Sequence, residues 1–212
     1  MKVAIADLGV GNLRSVEHAV SHVASDAEVV ITADAAVVAA ADRLIIPGQG
    51  AIGTWFSQLQ QRGLREAIAS ARHEKPIFGI CVGMQAMFDF CAEDDLGAAL
   101  GWVSGRVEHF GGLHTGRPRL KIPHMGWNRV KQVDHPIWHK VDDHSYFYFV
   151  HSYCAMLDQH HRGEQLAGVA DYGGEFIAAV ADGNVFATQF HPEKSQADGL
   201  QLLRNFMTWN GA

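Results

Sequence analysis

One cysteine stands in a setting that suits a nucleophile. In the stretch FGICVGMQ, Cys81 lies between Gly79 and Gly83 and follows a short apolar run. The next apolar side chains recur at helical spacing, at Met84, Met87, Phe88 and Cys91. The pattern predicts a sharp turn from a strand into a helix, with a strained backbone at Cys81 and small neighbours that remove colliding side chains. The thiol would point outward at the N-terminus of a helix that begins at Gly83.

A cysteine nucleophile needs a base, because a thiol with an ordinary pKa of about 8.5 is only a few per cent ionised at neutral pH. The stretch FATQFHPEKS ends a predicted strand with His191 and Glu193. Pro192 between them has a fixed φ and helps to hold both side chains. We expect this histidine to lie at the same edge of the sheet as Cys81. There the imidazole would favour the thiolate form of the cysteine, and Glu193 would hold the imidazole tautomer. Alone, the cysteine and the histidine suit plain buried positions, but together they predict a triad.

A thiolate that attacks an acyl carbon also needs donors for the oxyanion, each worth roughly two to three powers of ten in rate. One source is the amide of Val82, immediately after the nucleophile. The other is the turn PGQG at residues 47–50, which follows the strand RLII. Its glycines tolerate unusual dihedrals, so its N–H groups can point at the same place. As structure alone, it is an ordinary turn at the end of a strand.

The elements that must position these groups alternate between strand and helix in the first half. VAIADL, EVVIT and RLIIPG predict strands, and NLRSVEHAVSHVA predicts a helix with Asn12 as its N-cap. Another helix is predicted from about Trp55 to His73. This order predicts a parallel sheet with helices on both faces, in which functional groups gather at the carboxyl ends of the strands.

The second half, from Gly101, predicts strands joined by hairpins. They lie in GWVSGRVEHF, RLKIPHMGWNRVKQV, SYFYFVHSYCAML and EFIAAVADGNVFATQF. DGN at residues 182–184 is a hairpin signal, and SQADGLQLLRNFMTW predicts a terminal helix with an S-x-x-D cap. Since no linker or repeat interrupts the chain, we expect one α/β domain over residues 1–212 with a mixed sheet.

The composition limits the partners. A net charge of −6 gives no electrostatic reason to expect a nucleic acid or an anionic membrane. No apolar run approaches the roughly 20 residues of a membrane span, and the N-terminus does not resemble a signal peptide, so we expect a cytoplasmic protein. Cys81, Cys91 and Cys154 suit reduced thiols. The chain has 13 histidines but no HExxH, and His135 and His139 lie in a loop-like stretch, so we expect no metal and no cofactor.

Five stretches together resemble class I glutamine amidotransferases, and within them the glutaminase subunits of imidazole glycerol phosphate synthase. They are PGQG, GICVGMQ, PHMGWN, YFVHSY and QFHPEKS. The Cys and HPE elements are shared across the class, whereas PHMGWN and YFYFVHSY specify the branch. The resemblance runs from GVGNLRSV at residue 9 to the terminal helix. It implies a three-layer, flavodoxin-like α/β fold with a largely parallel central sheet extended by antiparallel strands.

The resemblance also implies roles for individual residues. Cys81, His191 and Glu193 would hydrolyse glutamine to glutamate and ammonia through a glutamyl thioester. The residues implied to bind glutamine are Gly48, Gly50, Val82, Gln85, Glu93, His151, Ser152 and Tyr153. A zwitterionic ligand needs a carboxylate for its ammonium group and N–H or O–H donors for its carboxylate. Gln49 departs from the family, which commonly has an apolar residue at this position of the oxyanion turn.

A glutaminase of this kind is expected to act with a partner, because free ammonia would be protonated and lost to solvent. The resemblance implies a (β/α)8 cyclase subunit, which takes the ammonia through an enclosed path. The pair would make imidazole glycerol phosphate and an aminoimidazole carboxamide ribotide in histidine biosynthesis. The candidate contact residues are Met125, Trp127, Asn128 and Lys194, which would form an exposed interface cluster. For the tryptophan, burial in the core is the alternative.

Three other functions compete with this reading. The first is a stand-alone cysteine hydrolase, such as a γ-glutamyl hydrolase, which would be active alone. The second is a non-catalytic assembly or regulatory subunit, which the intact Cys, His and Glu disfavour. The third is a paralogous glutaminase that feeds a sugar-aminating synthase. The motifs barely distinguish it from a glutaminase subunit of imidazole glycerol phosphate synthase.

Overall fold

The computed structural model describes residues 1–95, 97–113 and 120–211. The helices are α1 (Leu13–Val23), α2 (Ala35–Ala40), α3 (Ile52–Gln61), α4 (Arg65–Glu74), α5 (Val82–Gln85), α6 (Phe110–Leu113), α7 (Arg162–Gln165) and α8 (Gln196–Thr208). The strands are β1 (Lys2–Ala6), β2 (Glu28–Thr32), β3 (Arg43–Gly48), β4 (Ile77–Cys81), β5 (Phe88–Cys91), β6 (Gly97–Ala98), β7 (Val103–His109), β8 (His124–Arg129), β9 (Lys131–Gln132), β10 (Tyr146–His151), β11 (Tyr153–Leu157), β12 (Leu166–Asp171), β13 (Glu175–Asp182) and β14 (Val185–Thr188). Short 3-10 turns lie at Glu93–Asp95, Pro136–Trp138 and Pro192–Lys194. None of the helices in these ranges has the length and apolar character of a membrane span.

A large mixed sheet forms the centre of the fold. Its strands lie in the order β2, β1, β3, β4, β14, β13, β11, β7, β5, β6, and β12 pairs with both β13 and β9. The pairs from β2 to β14 are parallel. Beyond β14 the pairs to β13, β11 and β7 are antiparallel, and β5 then runs parallel to β7. The predicted fold class, a largely parallel sheet extended by antiparallel strands, is confirmed.

The centre of the parallel part is fully buried. Strands β3, β4 and β14 are buried at every residue, as expected for parallel strands covered by helices. Helix α8 is held on these strands by aromatic contacts, since the Phe78 ring lies 5.6 Å from that of Phe186 and 5.2 Å from that of Phe206. The carboxyl ends of β3, β4 and β14 therefore meet at one well-supported edge.

A separate two-stranded ribbon pairs β8 with β10 in antiparallel register, with Trp127 opposite Tyr148 and His124 opposite His151. The stretch SYFYFVHSYCAML thus forms two strands in different sheets, because β11, the next strand, pairs with β7 and β13. The chain crosses from one sheet to the other at Ser152. This crossing brings the HSY segment to the edge described above.

The helix predicted after Cys81 is wrong beyond its first turn. Helix α5 ends at Gln85, and Phe88–Cys91 is a strand that pairs with β7 and β6. Phe88 and Cys91 are buried while Asp89 and Phe90 are exposed, so the segment was compatible with helical spacing. Hydrogen bonding to strands distant in sequence decided its conformation.

The predicted helix from about 55 to 73 is wrong as one element. It consists of α3 and α4, separated near Gly63, which has a φ of 64°. A positive φ is unfavourable in a right-handed helix for any residue and is readily adopted by glycine. The predicted N-cap of α1 is confirmed, because the Asn12 Oδ1 accepts a hydrogen bond from the Ser15 amide at 3.3 Å.

The S-x-x-D cap predicted for α8 does not form. Ser195 stands at the N-cap position but makes no side-chain capping bond to the helix. Its hydroxyl instead donates to the His191 carbonyl at 2.6 Å and accepts from the Tyr148 amide at 3.0 Å. The hydroxyl thus ties the HPE segment to β10.

Candidate active site

The turn at Cys81 has the predicted strained geometry. Cys81 ends β4 and precedes the single turn of α5, with φ 55° and ψ −109°. A non-glycine residue with positive φ is uncommon and is characteristic of functional turns. A Cβ at Gly83 would lie 2.0 Å from the Ile46 carbonyl oxygen, and one at Gly79 would lie 2.7 Å from the Met87 Cε. Small residues on both sides are therefore required, as the sequence predicted.

His191 and Glu193 lie beyond the carboxyl end of β14, next to Cys81. Because β14 and β4 are parallel, with Thr188 opposite Ile80, their ends reach the same edge of the sheet. The His191 Nδ1 lies 2.8 Å from the Glu193 Oε1, and the two side chains are only 4% and 2% exposed. The structure thus brings the three predicted triad residues together.

The electrostatics of His191 favour its charged form. Burial alone would lower the pKa of the imidazole, but the negative charges of the Cys81 thiolate and the Glu193 carboxylate outweigh it and raise the pKa well above its ordinary value. Apart from its contact with the Cys81 sulfur, the His191 Nε2 has no partner among the described residues. This nitrogen is the one that remains for proton transfer, while Nδ1 is held by the carboxylate.

A cavity of about 340 Å³ opens in front of the cysteine. It is lined by Gln49, Gly50, Cys81, Val82, Gln85, Glu93, Pro123, Val150, His151, Ser152 and Tyr153. Every residue predicted to bind glutamine is in this lining except Gly48, which lies opposite Cys81 in the β3–β4 pairing. Sequence reasoning assigned no role to Pro123 and Val150, although both lie within stretches that it had singled out, PHMGWN and YFVHSY.

Both sources predicted for the oxyanion donors border this cavity. Val82 follows Cys81 directly, and Gly50 has a φ of 88°, so the turn uses the freedom of a glycine. A Cβ at Gly48 would come within 2.8 Å of the Gly83 nitrogen. The Trp55 Nε1 donates to the Pro47 carbonyl at 3.2 Å and holds the start of the turn. The turn is thereby packed closely against the nucleophile.

The His151 ring has both nitrogens engaged. Its Nδ1 lies 2.7 Å from the Tyr153 carbonyl oxygen, which can only accept, so Nδ1 carries the proton. Its Nε2 must then accept from the His124 Nδ1 at 3.0 Å, and the His124 Nε2 in turn faces the Asn128 Nδ2 at 3.4 Å. Burial lowers the pKa of His151 to about 3 and that of His124 to about 4, so both rings are neutral. The His151 ring has no nitrogen left for a ligand.

Comparison with known proteins identifies the family. A model of glutamine amidotransferase class-I matches residues 4–209. The chain belongs to this family. The imidazole glycerol phosphate synthase subunit HisH of Thiobacillus denitrificans is 49% identical, over 98% of this chain and 91% of the relative. The subunit of the same name from Dechloromonas aromatica is 48% identical, over 98% and 96%. A crystal structure of a glutamine amidotransferase has a TM-score of 0.70 at 19% identity, covers 97% of each chain, and shows the shared fold.

In this amidotransferase, Glu93 connects the cavity to the N-terminus of α3. Its Oε2 accepts from the Ile52 amide at 3.3 Å, and the Asp94 Oδ2 accepts from the Gly53 amide at 3.1 Å. These carboxylates replace a local cap, which Ala51 does not provide. Burial raises the pKa of Glu93 above its ordinary value, and the bond from the Ile52 amide offsets only part of this rise. The carboxylate is therefore held in place before any ligand arrives.

Three of the four predicted contact residues of the amidotransferase, Met125, Trp127 and Lys194, lie on one surface. Met125 and Trp127 are 61% and 45% exposed, so burial of this tryptophan in the core is wrong. The Trp127 and Tyr148 rings are 6.1 Å apart, and the Lys194 Nζ lies 5.9 Å from the centre of the Tyr148 ring. We call Met125, Trp127, Tyr148 and Lys194 the ribbon surface. The Asn128 side chain lies on the other face of β8, where its Nδ2 donates to the Asp171 carbonyl at 2.8 Å and lies 3.4 Å from the His124 Nε2.

The described histidines, cysteines and carboxylates bear on metal binding. Within the described ranges no group of three or more His, Cys, Asp or Glu side chains is arranged to hold a metal ion. His135, considered for such a role, accepts a hydrogen bond from the Ile137 amide through Nδ1 at 3.2 Å. That contact caps the 3-10 turn Pro136–Trp138 and is structural.

Proposed function

We propose that this amidotransferase is the glutaminase subunit of an imidazole glycerol phosphate synthase, with Cys81, His191 and Glu193 as its catalytic triad. The observation that carries the proposal is the buried His191–Glu193 pair beside a cysteine with positive φ, at the mouth of a cavity. The two HisH relatives, matched over nearly their whole length, favour this synthase over a sugar-aminating one. Membership of a glutamine-hydrolysing family disfavours a non-catalytic subunit.

In the first half of the reaction the Cys81 thiolate attacks the side-chain amide carbon of glutamine. A C–S bond forms, and the oxygen takes up the charge near the Val82 amide and the 47–50 turn. The His191 Nε2 then gives its proton to the amide nitrogen, the C–N bond breaks, and ammonia leaves. The products of this half are a glutamyl thioester and a neutral imidazole.

In the second half, water replaces ammonia. The neutral His191 Nε2 takes a proton from the water, whose oxygen attacks the thioester carbon. The C–S bond breaks, glutamate leaves, and the thiolate and imidazolium are restored. Throughout, the Glu193 Oε1 accepts from the Nδ1–H and keeps the ring in one orientation, as the carboxylate does in other triads.

Glutamine binding uses the walls of the cavity. The Glu93 Oε1 makes no hydrogen bond with a described residue, while Oε2 is bonded, so Oε1 is the acceptor for the substrate ammonium. Because the His151 ring is fully engaged, that residue contacts the substrate through its backbone. Ser152, at the crossing between the sheets, supplies a hydroxyl and a backbone donor for the substrate carboxylate. Gly50 and Gln85 form the remaining walls of the cavity, and Gly48 lies outside the lining, opposite Cys81 in the β3–β4 pairing.

The ammonia is passed to a cyclase subunit that docks on the ribbon surface and Asn128. This surface carries exposed apolar and aromatic side chains together with one lysine, a composition typical of the core of a protein interface. Lys194 belongs to the same 3-10 turn as Glu193, so docking occurs directly beside the triad. The complex would make imidazole glycerol phosphate and an aminoimidazole carboxamide ribotide.

The decisive experiment separates ammonia production from its use. In complex with the cyclase subunit, Cys81→Ala should lose glutamine-dependent synthesis by roughly 10⁴-fold or more and keep synthesis from ammonium salts. Cys154→Ala is the matched control, since this thiol is buried in β11 and does not line the cavity. Loss of both activities in a folded, bound Cys81→Ala protein would refute the proposal.

A further inference from the structure

Gln189 is a fully buried residue in the catalytic centre to which the triad chemistry assigns no role. It stands two residues before His191, and its backbone amide donates to the Ala178 carbonyl of β13 at 2.9 Å. Its side-chain Nε2 lies 3.6 Å from the Cys81 Sγ, and its Oε1 lies 2.9 Å from the Gln85 Nε2. A buried amide is thus placed between the nucleophile and a residue of the cavity wall.

The direction of these hydrogen bonds is determined by a backbone carbonyl. The Gln85 side chain lies 3.2 Å from the Tyr153 carbonyl oxygen, which can only accept, so Gln85 must present its Nε2 there. The same Nε2 has a second hydrogen, and it is directed to Gln189. Gln189 must therefore present Oε1 to Gln85 and Nε2 to the Cys81 sulfur. The His151 Nδ1–H donates to the same carbonyl, which is consistent with this direction.

We propose that Gln189 is a further catalytic residue, whose amide N–H donates to the Cys81 thiolate and stabilises it before attack on glutamine. Hydrogen bonds to an ionised group favour that form and are roughly twice as strong as neutral ones. This hydrogen bond weakens when the sulfur becomes part of a neutral thioester. It regains its strength when the thiolate is released. Gln189 transfers no proton, because that task belongs to His191.

The other groups around Cys81 define what Gln189 adds. The imidazolium of His191, with Glu193 behind it, supplies the positive charge. Glu93 is an acidic residue in the cavity wall whose pKa is raised, chiefly by burial, and the neutral His151 contributes no charge. Gln189 adds a hydrogen-bond donor that orients the Cys81 sulfur. Because its side chain is neutral, it does not change the charge of the site. The inference rests on the proposed role of Cys81.

Two variants of Gln189 test the inference on the full chain. Gln189→Leu removes the donor at similar size, while Gln189→Glu keeps the shape but turns an acceptor toward the sulfur. The first measurement is the rate of iodoacetamide alkylation at Cys81 against pH, followed by mass spectrometry of the Cys81 peptide. We expect the midpoint of this profile to rise by about one to two pH units in Gln189→Leu and further in Gln189→Glu.

The second measurement is glutamine hydrolysis in the complex with the cyclase subunit. We expect kcat to fall roughly ten- to hundredfold, with a much smaller change in KM, because Gln189 contacts the sulfur and does not line the cavity. The alkylation profile does not depend on glutaminase activity. The alkylation result can therefore contradict the role of Gln189 while the Cys81→Ala experiment still supports the proposed function. The two experiments thus separate this inference from the proposed function.

Gln165→Leu is the matched control. This buried amide accepts from the Ser104 amide at 2.9 Å and donates to the Trp102 carbonyl at 3.5 Å, and neither partner lines the cavity. The inference is overturned if both Gln189 variants keep the wild-type midpoint and kcat, or if Gln165→Leu shifts the midpoint equally. Failure of both Gln189 variants to fold would also overturn it, since Gln189 would then be a structural residue.

Discussion

The Nδ1 of His191 lies 2.8 Å from the Oε1 of Glu193, and burial removes almost all solvent from both side chains. Pro192 between them begins a 3-10 turn, so the two side chains are held by a short, stiff segment. The Ser195 hydroxyl anchors the same segment through the His191 carbonyl. The imidazole is thereby oriented before substrate binds, and its Nε2 faces the catalytic centre without a competing hydrogen bond.

This arrangement predicts unequal effects of the two triad partners. His191→Ala removes the proton donor and acceptor and should lower kcat for glutamine hydrolysis by at least about 10²-fold. Glu193→Gln keeps an oxygen that can accept from Nδ1 and should cost less. Steady-state assays in the complex with the cyclase subunit measure both. A wild-type rate in either variant would remove that residue from the triad.

The three cysteines should differ sharply in reactivity, although all are free. Burial raises the pKa of Cys91 to about 11 and that of Cys154 to about 12, so both remain thiols at neutral and mildly alkaline pH. The raised pKa of His191 keeps an imidazolium beside Cys81 over the same range. A glutamine-analogue electrophile at about pH 7 to 8 should therefore label Cys81 alone.

Peptide mass spectrometry gives the result of this labelling directly. Denatured protein is the control, because all three thiols should react once the chain is unfolded. Comparable labelling of Cys91 or Cys154 in the native chain would contradict the assignment of the nucleophile.

Gly83→Ala should destabilise the fold at the nucleophile turn. Its Cβ would lie 2.0 Å from the Ile46 carbonyl oxygen, a backbone atom that cannot move without shifting β3. Overpacking of this kind costs about 1–3 kcal/mol or more, measurable as a lower midpoint of urea unfolding. Gly163→Ala in α7 is the control, since nothing lies within 4 Å of its added Cβ. Equal stability of both variants would show that the close approach is relieved at no cost.

Partner docking should control turnover. We expect the isolated chain to hydrolyse glutamine slowly, and the cyclase subunit with its nucleotide ligand to raise turnover by about a hundredfold, equivalent to a coupling of a few kcal/mol. The physical reason is the turn at residues 47–50, whose peptide can point either an N–H or a carbonyl at the oxyanion. Equal rates with and without partner and ligand would favour a stand-alone hydrolase.

Gln49 tests whether a side chain or the backbone makes this switch. Its side chain is exposed and makes no hydrogen bond with a described residue. Substitution of an exposed residue without partners changes the free energy of unfolding by about 0.5 kcal/mol at most, and we expect the coupling to the partner to change by a similar amount. Gln49→Val should therefore change the ratio of stimulated to basal turnover by less than about threefold, assayed as above. A larger change would assign the switch to the Gln49 amide.

Trp127→Ala should weaken docking on the ribbon surface. The exposed indole and the Lys194–Tyr148 contact lie beside the triad, so losing the aromatic group removes apolar contact area from the interface. We expect Kd for the cyclase subunit to rise by about tenfold or more, measured by titration calorimetry. Val133→Ala is a control, because Val133 is also an exposed apolar residue but lies outside this surface. An equal effect of both changes would place docking elsewhere.

The sequence by itself determined the parts of this protein that depend on neighbouring residues. The cysteine between glycines predicted the strained turn, because only small neighbours permit it. Asn12 predicted its own helix start, since an N-cap acts within three residues. The apolar strands of the first half predicted a parallel sheet, and β1, β2, β3 and β4 pair in parallel.

Only the tertiary structure decided what depends on partners distant in the chain. Phe88–Cys91 became a strand because β7 satisfies its backbone groups, although its apolar spacing also fits a helix. Ser195 bonds to Tyr148 and His191 in place of its own helix. The side chain of Gln189 acquires its direction from the Tyr153 carbonyl through Gln85, across two hydrogen bonds that no local pattern encodes. Hydrogen bonds between remote residues exist only after the chain has folded, so their partners cannot be read from spacing alone.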